Sequence, residues 1–172
     1  MAVLDDLLEA NRRFSATFDR ARDGARPASP ARHVAILTCM DARVHPEAFL
    51  GLAIGDAHVL RNAGGRASDD AIRSLIISSQ VLDTTDVVVI HHTDCGMGTL
   101  SNAELQDKLR TKLDVDATDM DFLPFADLQQ SVWDDVQRLL ASPFLAPGIQ
   151  VSGFVYDVRS GALRPVVAPT TR

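Results

Sequence analysis

The chain has 172 residues, of which 46% are apolar and 23% charged, with a formal net charge of -6. That mixture can bury a core within one domain and excludes a disordered or fibrous chain. The negative balance excludes a partner bound through its phosphate backbone, which needs clustered Lys and Arg, so no nucleic acid is expected.

In chain order, Val3, Leu4, Leu7, Leu8, Phe14 and Phe18 recur at helical spacing, predicting an amphipathic helix over about 1–20. The acids beside it stand where a secretory signal would be basic, and no apolar run is long enough to span a bilayer, so a cytoplasmic protein without membrane contact is expected. The Gly- and Pro-containing stretch "RDGARPASPAR" then delivers the chain into "HVAILTC", an apolar run that reads as a buried strand closed by Cys39. Pro46 opens a short helix through Leu50, and "GDAHVLRN" reads as a second strand.

After the Gly64–Gly65 pair, Ser68 is placed to cap a helix with Asp69 and Asp70 in its first turn and Ala71, Ile72, Leu75 and Ile76 on one face. That helix leads to a third strand, "DVVVIHH". Ser101 and Glu104 have capping-box spacing and predict another helix. The acidic, aperiodic "DVDATDMDFLPF" reads as a surface loop, and Leu128, Val132, Val136, Leu139 and Leu140 mark a final helix. "IQVSGFVYDV" and "ALRPVV" flank "RSG", the pattern of two strands joined by a tight turn.

Strands alternating with helices predict an α/β fold with a mainly parallel central β-sheet flanked by helices. We expect one α/β domain over 1–172: the N-terminal helix about 1–20, a core at about 33–100 that carries the candidate site, and a C-terminal helix and hairpin at about 127–168. Ligands of such sheets bind beyond the carboxyl ends of the strands, where Cys39, Asn62 and His92 all fall.

With only two cysteines, a disulfide framework is implausible, and Cys39 and Cys95 read as ligands or nucleophiles, with an inert buried pair as the alternative. Cys39, His92 and Cys95 supply two sulfurs and one nitrogen, a three-ligand zinc set that leaves a position for water or substrate. H-x-x-C alone is a weak signal, and "CMDAR" upstream strengthens it.

"CMDAR" followed by "HTDCG", with "GDAHVLRNAGG" between them, resembles the β-class carbonic anhydrases over about Val34 to Gly98. The resemblance implies Zn2+ on Cys39, His92 and Cys95, and reversible hydration of carbon dioxide to bicarbonate and a proton by hydroxide held on the metal. It also implies a homodimer or an assembly of dimers. Asp41 then either accepts a hydrogen bond from the reacting water or swings onto the metal as a fourth ligand in a closed state. Arg43, able to grip a carboxylate through two parallel hydrogen bonds, would hold Asp41 off the metal.

His91 is expected to pack, since neighbouring side chains of a strand point to opposite faces. Asp94 and Gly96 read as turn residues, "RNAGG" as wall of the site, and His33, His45 and His58 as surface, cap or packing residues. The family's pocket glutamine ahead of the first strand and phenylalanine near position 58 are replaced, with His at 58. Pocket shape selects among small linear molecules, so hydrolysis of carbonyl sulfide or carbon disulfide on the same zinc is the alternative reaction. A non-catalytic zinc-binding domain is the second alternative, and thiol redox chemistry is weaker because the cysteines lack C-x-x-C spacing.

Overall fold

A computed structural model describes residues 2–172, so Met1 of the expected first helix lies outside the described residues. Helix α1 (Val3–Ala16) precedes a five-stranded sheet formed by β1 (Val34–Cys39), β2 (Ala57–Asn62), β3 (Asp86–His92), β4 (Gln150–Tyr156) and β5 (Leu163–Thr171). The connections carry α2 (Pro46–Phe49), α3 (Asp69–Gln80), α4 (Asn102–Leu113) and α5 (Leu128–Ala141). Spatial order is β2-β1-β3-β4-β5, with β5 alone antiparallel to its neighbour. The mainly parallel α/β architecture expected from the sequence is the one observed.

This order positions the site. The chain first steps from β1 to β2 on one side, then crosses back to place β3 on the other, so strand order reverses between β1 and β3. Loops leaving two adjacent parallel strands in opposite directions open a crevice at their carboxyl ends. The registers bring Thr38 beside Ile90 and Cys39 beside Asn62, while His92 lies one strand further on beside Tyr156. Cys39 and His92 therefore end neighbouring strands at that crevice.

β1 and β3 are central strands of near-continuous apolar sequence, and α3 and α5 pack together on one face of them. Ala35, Leu37, Val87 and Val89 pack with Leu75 of α3, Val136 and Leu139 of α5, and Val151 of β4. Leu75 is fully buried, and burial of a side chain of that size contributes about 1.5–3 kcal/mol. Helix α5 approaches β4 closely at Gly153, where a Cβ would meet Val132 Cγ1 at 2.5 Å. Pro165 and Pro169 lie in β5, an edge strand, where a missing backbone donor is tolerated.

The predicted caps form: Ser68 accepts from Ala71 N–H, and Ser101 and Glu104 build a capping box at α4. Helix α1 ends at Ala16, short of the expected 20, and none of its residues is buried.

Candidate metal centre

Cys39 closes β1 and His92 closes β3; three residues later, Cys95 lies on the turn that follows. All three are buried, and one ligand atom from each lies within 4.8 Å of the others. The sulfurs of Cys39 and Cys95 are 3.9 Å apart. The imidazole is oriented by its own backbone, since Nδ1 donates to the Thr93 carbonyl at 2.9 Å. That bond fixes the tautomer and aims Nε2 at the cluster. Nε2 is buried without a hydrogen-bond partner, a costly arrangement for a ring nitrogen.

The electrostatics favour a cation. Hydrogen bonding from Cys95 pushes the Cys39 thiol down to about 4 against the effect of burial, helped by His92 and by the backbone N–H groups of Asp41 and Gly64. Cys95 is pushed up, first because it supplies that proton and then by burial. For His92, burial works downward, yet Cys39, the Thr93 carbonyl and Asp41 together outweigh it and the net shift is upward. A thiolate, a thiol that shares its proton with it and an unsatisfied imidazole nitrogen form a soft donor set that fits zinc.

Beside the cluster, Arg43 grips Asp41 through both oxygens, Nε to Oδ1 at 3.0 Å and Nη2 to Oδ2 at 2.7 Å, and Arg43 N–H also donates to Oδ1 at 2.9 Å. These bonds hold the Asp41 carboxyl well below the usual carboxylate range. Asp41 Oδ2 is 3.8 Å from His92 Nε2, so the carboxylate faces the cluster while engaged elsewhere. Arg43 Nη2 reaches the Asp94 carbonyl as well, linking the loop after β1 to the turn that carries Cys95. Asp94 is a turn residue as expected, with φ +55°.

Two guanidinium groups have roles that the sequence did not assign individually: Arg61 lies within the wall segment "RNAGG" and Arg159 within the turn "RSG". Arg61, beside Thr38 in the register, donates to the carbonyls of Cys39 at 3.1 Å and Asp41 at 2.8 Å. Its sequence signal is a lone charge near the end of a strand, next to Asn62. Arg159, from the β4–β5 turn, reaches Asp94 Oδ2 across 65 positions, and no local pattern marks it.

His91 lies on the opposite face of β3, where Nδ1 meets Ser131 Oγ at 2.8 Å and Nε2 meets Asp135 Oδ2 at 3.1 Å and the Gly65 carbonyl at 3.2 Å. It has the packing role expected of it and lies outside the cluster. His33 Nδ1 meets the Asp83 carbonyl, and exposed His45 lies 3.5 Å from Glu47. His58 is occupied by Ser78 Oγ and the Ala28 carbonyl. It lies near the amino end of β2, away from the end that carries the cluster. The glycines of "RNAGG" are buried, and a Cβ on Gly65 would meet Cys39 N at 2.9 Å, so the loop backs directly onto the first cysteine.

A family model described as carbonic anhydrase matches residues 34–163. Beta-carbonic anhydrase 1 of Mycobacterium tuberculosis is 36% identical over 168 residues, covering 96% of this chain and 99% of that protein. Carbon disulfide hydrolase of Saccharolobus solfataricus is 36% identical over 157 residues, covering 77% of this chain and 76% of that protein. The crystal structure of carbonic anhydrase from Streptococcus mutans, 49% identical, superposes with a TM-score of 0.91 over 96% of this chain and 98% of that one.

Proposed function

Because the chain belongs to the β-carbonic anhydrase family, we propose that it hydrates carbon dioxide reversibly to bicarbonate and a proton at a zinc held by Cys39, His92 and Cys95. The observation that carries the reading is the buried, unpartnered His92 Nε2 facing two sulfurs, with a locked carboxylate 3.8 Å away. Zinc bound there would supply Lewis acidity, activating water as a nucleophile near neutral pH.

The chain's own residues do the rest. Asp41, turned toward the cluster, accepts a hydrogen bond from the reacting water and sets the direction of its lone pair. Its carboxyl is held far below the usual range, which makes it a poor proton store near neutrality; it orients the water, and the released proton goes to solvent. Arg43 occupies both Asp41 oxygens and so opposes closure of the carboxylate onto the metal. Arg61 clamps the carbonyls of Cys39 and Asp41, so that ligand and orienting group move as one piece. The bidentate Asp41–Arg43 pair argues against a non-catalytic domain.

The relatives that hydrolyse carbon disulfide make that substrate the second reading, but their matches span 76% of the Saccharolobus protein, against 99% of the mycobacterial carbonic anhydrase. A stopped-flow comparison of carbon dioxide hydration with carbonyl sulfide and carbon disulfide hydrolysis on zinc-loaded protein tests both. Carbon dioxide turnover exceeding the other two is the expected result, and turnover of carbon disulfide alone would replace the first reading with the second.

The assembly belongs to the same proposal. Val3, Leu4, Leu7 and Phe14 of α1 are each more than half exposed, and an isolated helix of this length is marginal in water. A second copy of the chain covering that stripe accounts for both facts, in a homodimer or an assembly of dimers. Two buried free thiols serving as ligands suit a reducing cytoplasm. Among the described residues, no helix is long and apolar enough to cross a membrane.

A further inference from the structure

Behind the metal centre lies a buried polar network that the proposed chemistry does not use. Asp135, on α5, is 3% exposed, and its carboxylate receives two arms. One is direct: Arg66 donates from Nε to Oδ2 at 2.8 Å and from Nη2 to Oδ1 at 3.3 Å. The other passes through His91, whose Nε2 lies 3.1 Å from Asp135 Oδ2 and 3.2 Å from the Gly65 carbonyl. Two acceptors face that nitrogen, so it carries the hydrogen and bridges them.

Both arms end on the same short segment. Gly65 and Arg66 adjoin Gly64, and the loop is pressed against the ligand strand: a Cβ on Gly65 would meet Cys39 N and Thr38 C, each at 2.9 Å. Gly64 and Gly65 hold left-handed backbone, with φ +80° and +71°. The Asn62 side chain closes the loop from within, donating to the Arg66 carbonyl and accepting from Arg66 N–H, each at 2.7 Å, and the two arms hold the closed loop against β1. A third restraint closes the network, since Arg66 Nη1 donates to the Leu123 carbonyl at 2.8 Å.

We propose that Asp135 is a positioning residue for the metal centre: through Arg66 directly, and through His91 to the Gly65 carbonyl, it holds the glycine loop against Cys39 and so sets how that sulfur meets the cation. The inference rests on the reading of Cys39 as a zinc ligand. Outer partners that orient ligands govern metal affinity as well as geometry.

The test is zinc affinity, measured by competition with a chromophoric chelator, in the full chain and three variants. Asp135→Asn keeps the shape but loses the charge that holds both arms, and should bind zinc about 10–100-fold more weakly. Arg66→Gln removes one arm and should lie between that variant and the unmodified protein. Val132→Ala weakens the apolar face of the same helix without touching the loop, and should bind zinc as the unmodified protein does. In the cobalt-loaded protein, the sulfur-to-metal charge-transfer band should shift in Asp135→Asn and stay put in Val132→Ala; general destabilisation would not separate the two. Unmodified protein that binds one zinc beside an Asp135→Asn variant of equal affinity overturns the inference and leaves the site standing. Equal weakening in Val132→Ala overturns it too, and if Asp135→Asn does not fold, Arg66→Gln decides by the same comparison. Failure of the unmodified protein to bind zinc overturns both readings.

Discussion

Arg43 occupies both carboxylate oxygens of Asp41, at 3.0 and 2.7 Å, while Oδ2 stays 3.8 Å from His92 Nε2. The Arg43 side of the pair is half open to solvent, at 50% side-chain exposure, and Asp41 is partly covered, at 19%. The value of the pair therefore lies in direction, since exposed ion pairs add little stability.

Arg43→Ala should lower kcat/KM for carbon dioxide hydration by about 100-fold or more while zinc content remains one per chain. The carboxylate would then be free to reach the metal, and X-ray absorption should show an added light-atom ligand in place of exchangeable water. Unchanged turnover in this variant would remove the pair from the chemistry.

Removal of zinc should expose the ligand cysteines to reaction. Incubation with a strong chelator, followed by an alkylating reagent and mass analysis, should label both Cys39 and Cys95, whereas zinc-loaded protein resists labelling. Cys95→Ser should leave the chain well below one zinc, because two ligands replace three. Equal labelling with and without chelator would contradict the ligand assignment.

Asp135 predicts a specific pH signature. Burial alone would raise its pKa, but hydrogen bonds from His91 and Arg66 outweigh burial and the net shift is downward. A carboxyl with a depressed folded pKa contributes stability that is fully present above its unfolded pKa, about 3.9, and is lost as pH falls through the folded value. The stability difference between unmodified protein and Asp135→Asn should thus be constant above about pH 5 and shrink below about pH 4, as read from denaturant midpoints across that range. A gap that widens on acidification would reverse the assigned sign.

Helix α1 should fail as an interface when its stripe is charged. Leu4→Glu combined with Leu7→Glu changes two residues that are 62% and 61% exposed in the single chain, so the fold of the protomer should survive. Sedimentation should show the assembly dissociating to monomers. An unaltered sedimentation coefficient would place the interface elsewhere.

Much of this protein is legible along the chain because its signals are local. The strand ending in Cys39, the cap at Ser68, the capping box at Ser101 and the H-x-x-C turn each depend on residues a few positions apart, where backbone geometry and side-chain chemistry decide the outcome directly. Tertiary structure decided what distance along the chain conceals. Reversal of strand order between β1 and β3 set Cys39 beside His92, and Arg61, Arg159 and Asp135 were recruited from three other elements onto backbone carbonyls, an aspartate and a histidine near them. A guanidinium or carboxylate reaching across dozens of positions follows no periodicity. Its partner is chosen by which strand edges and helix faces pack together, and by the cost of leaving a buried polar group unpaired once they do.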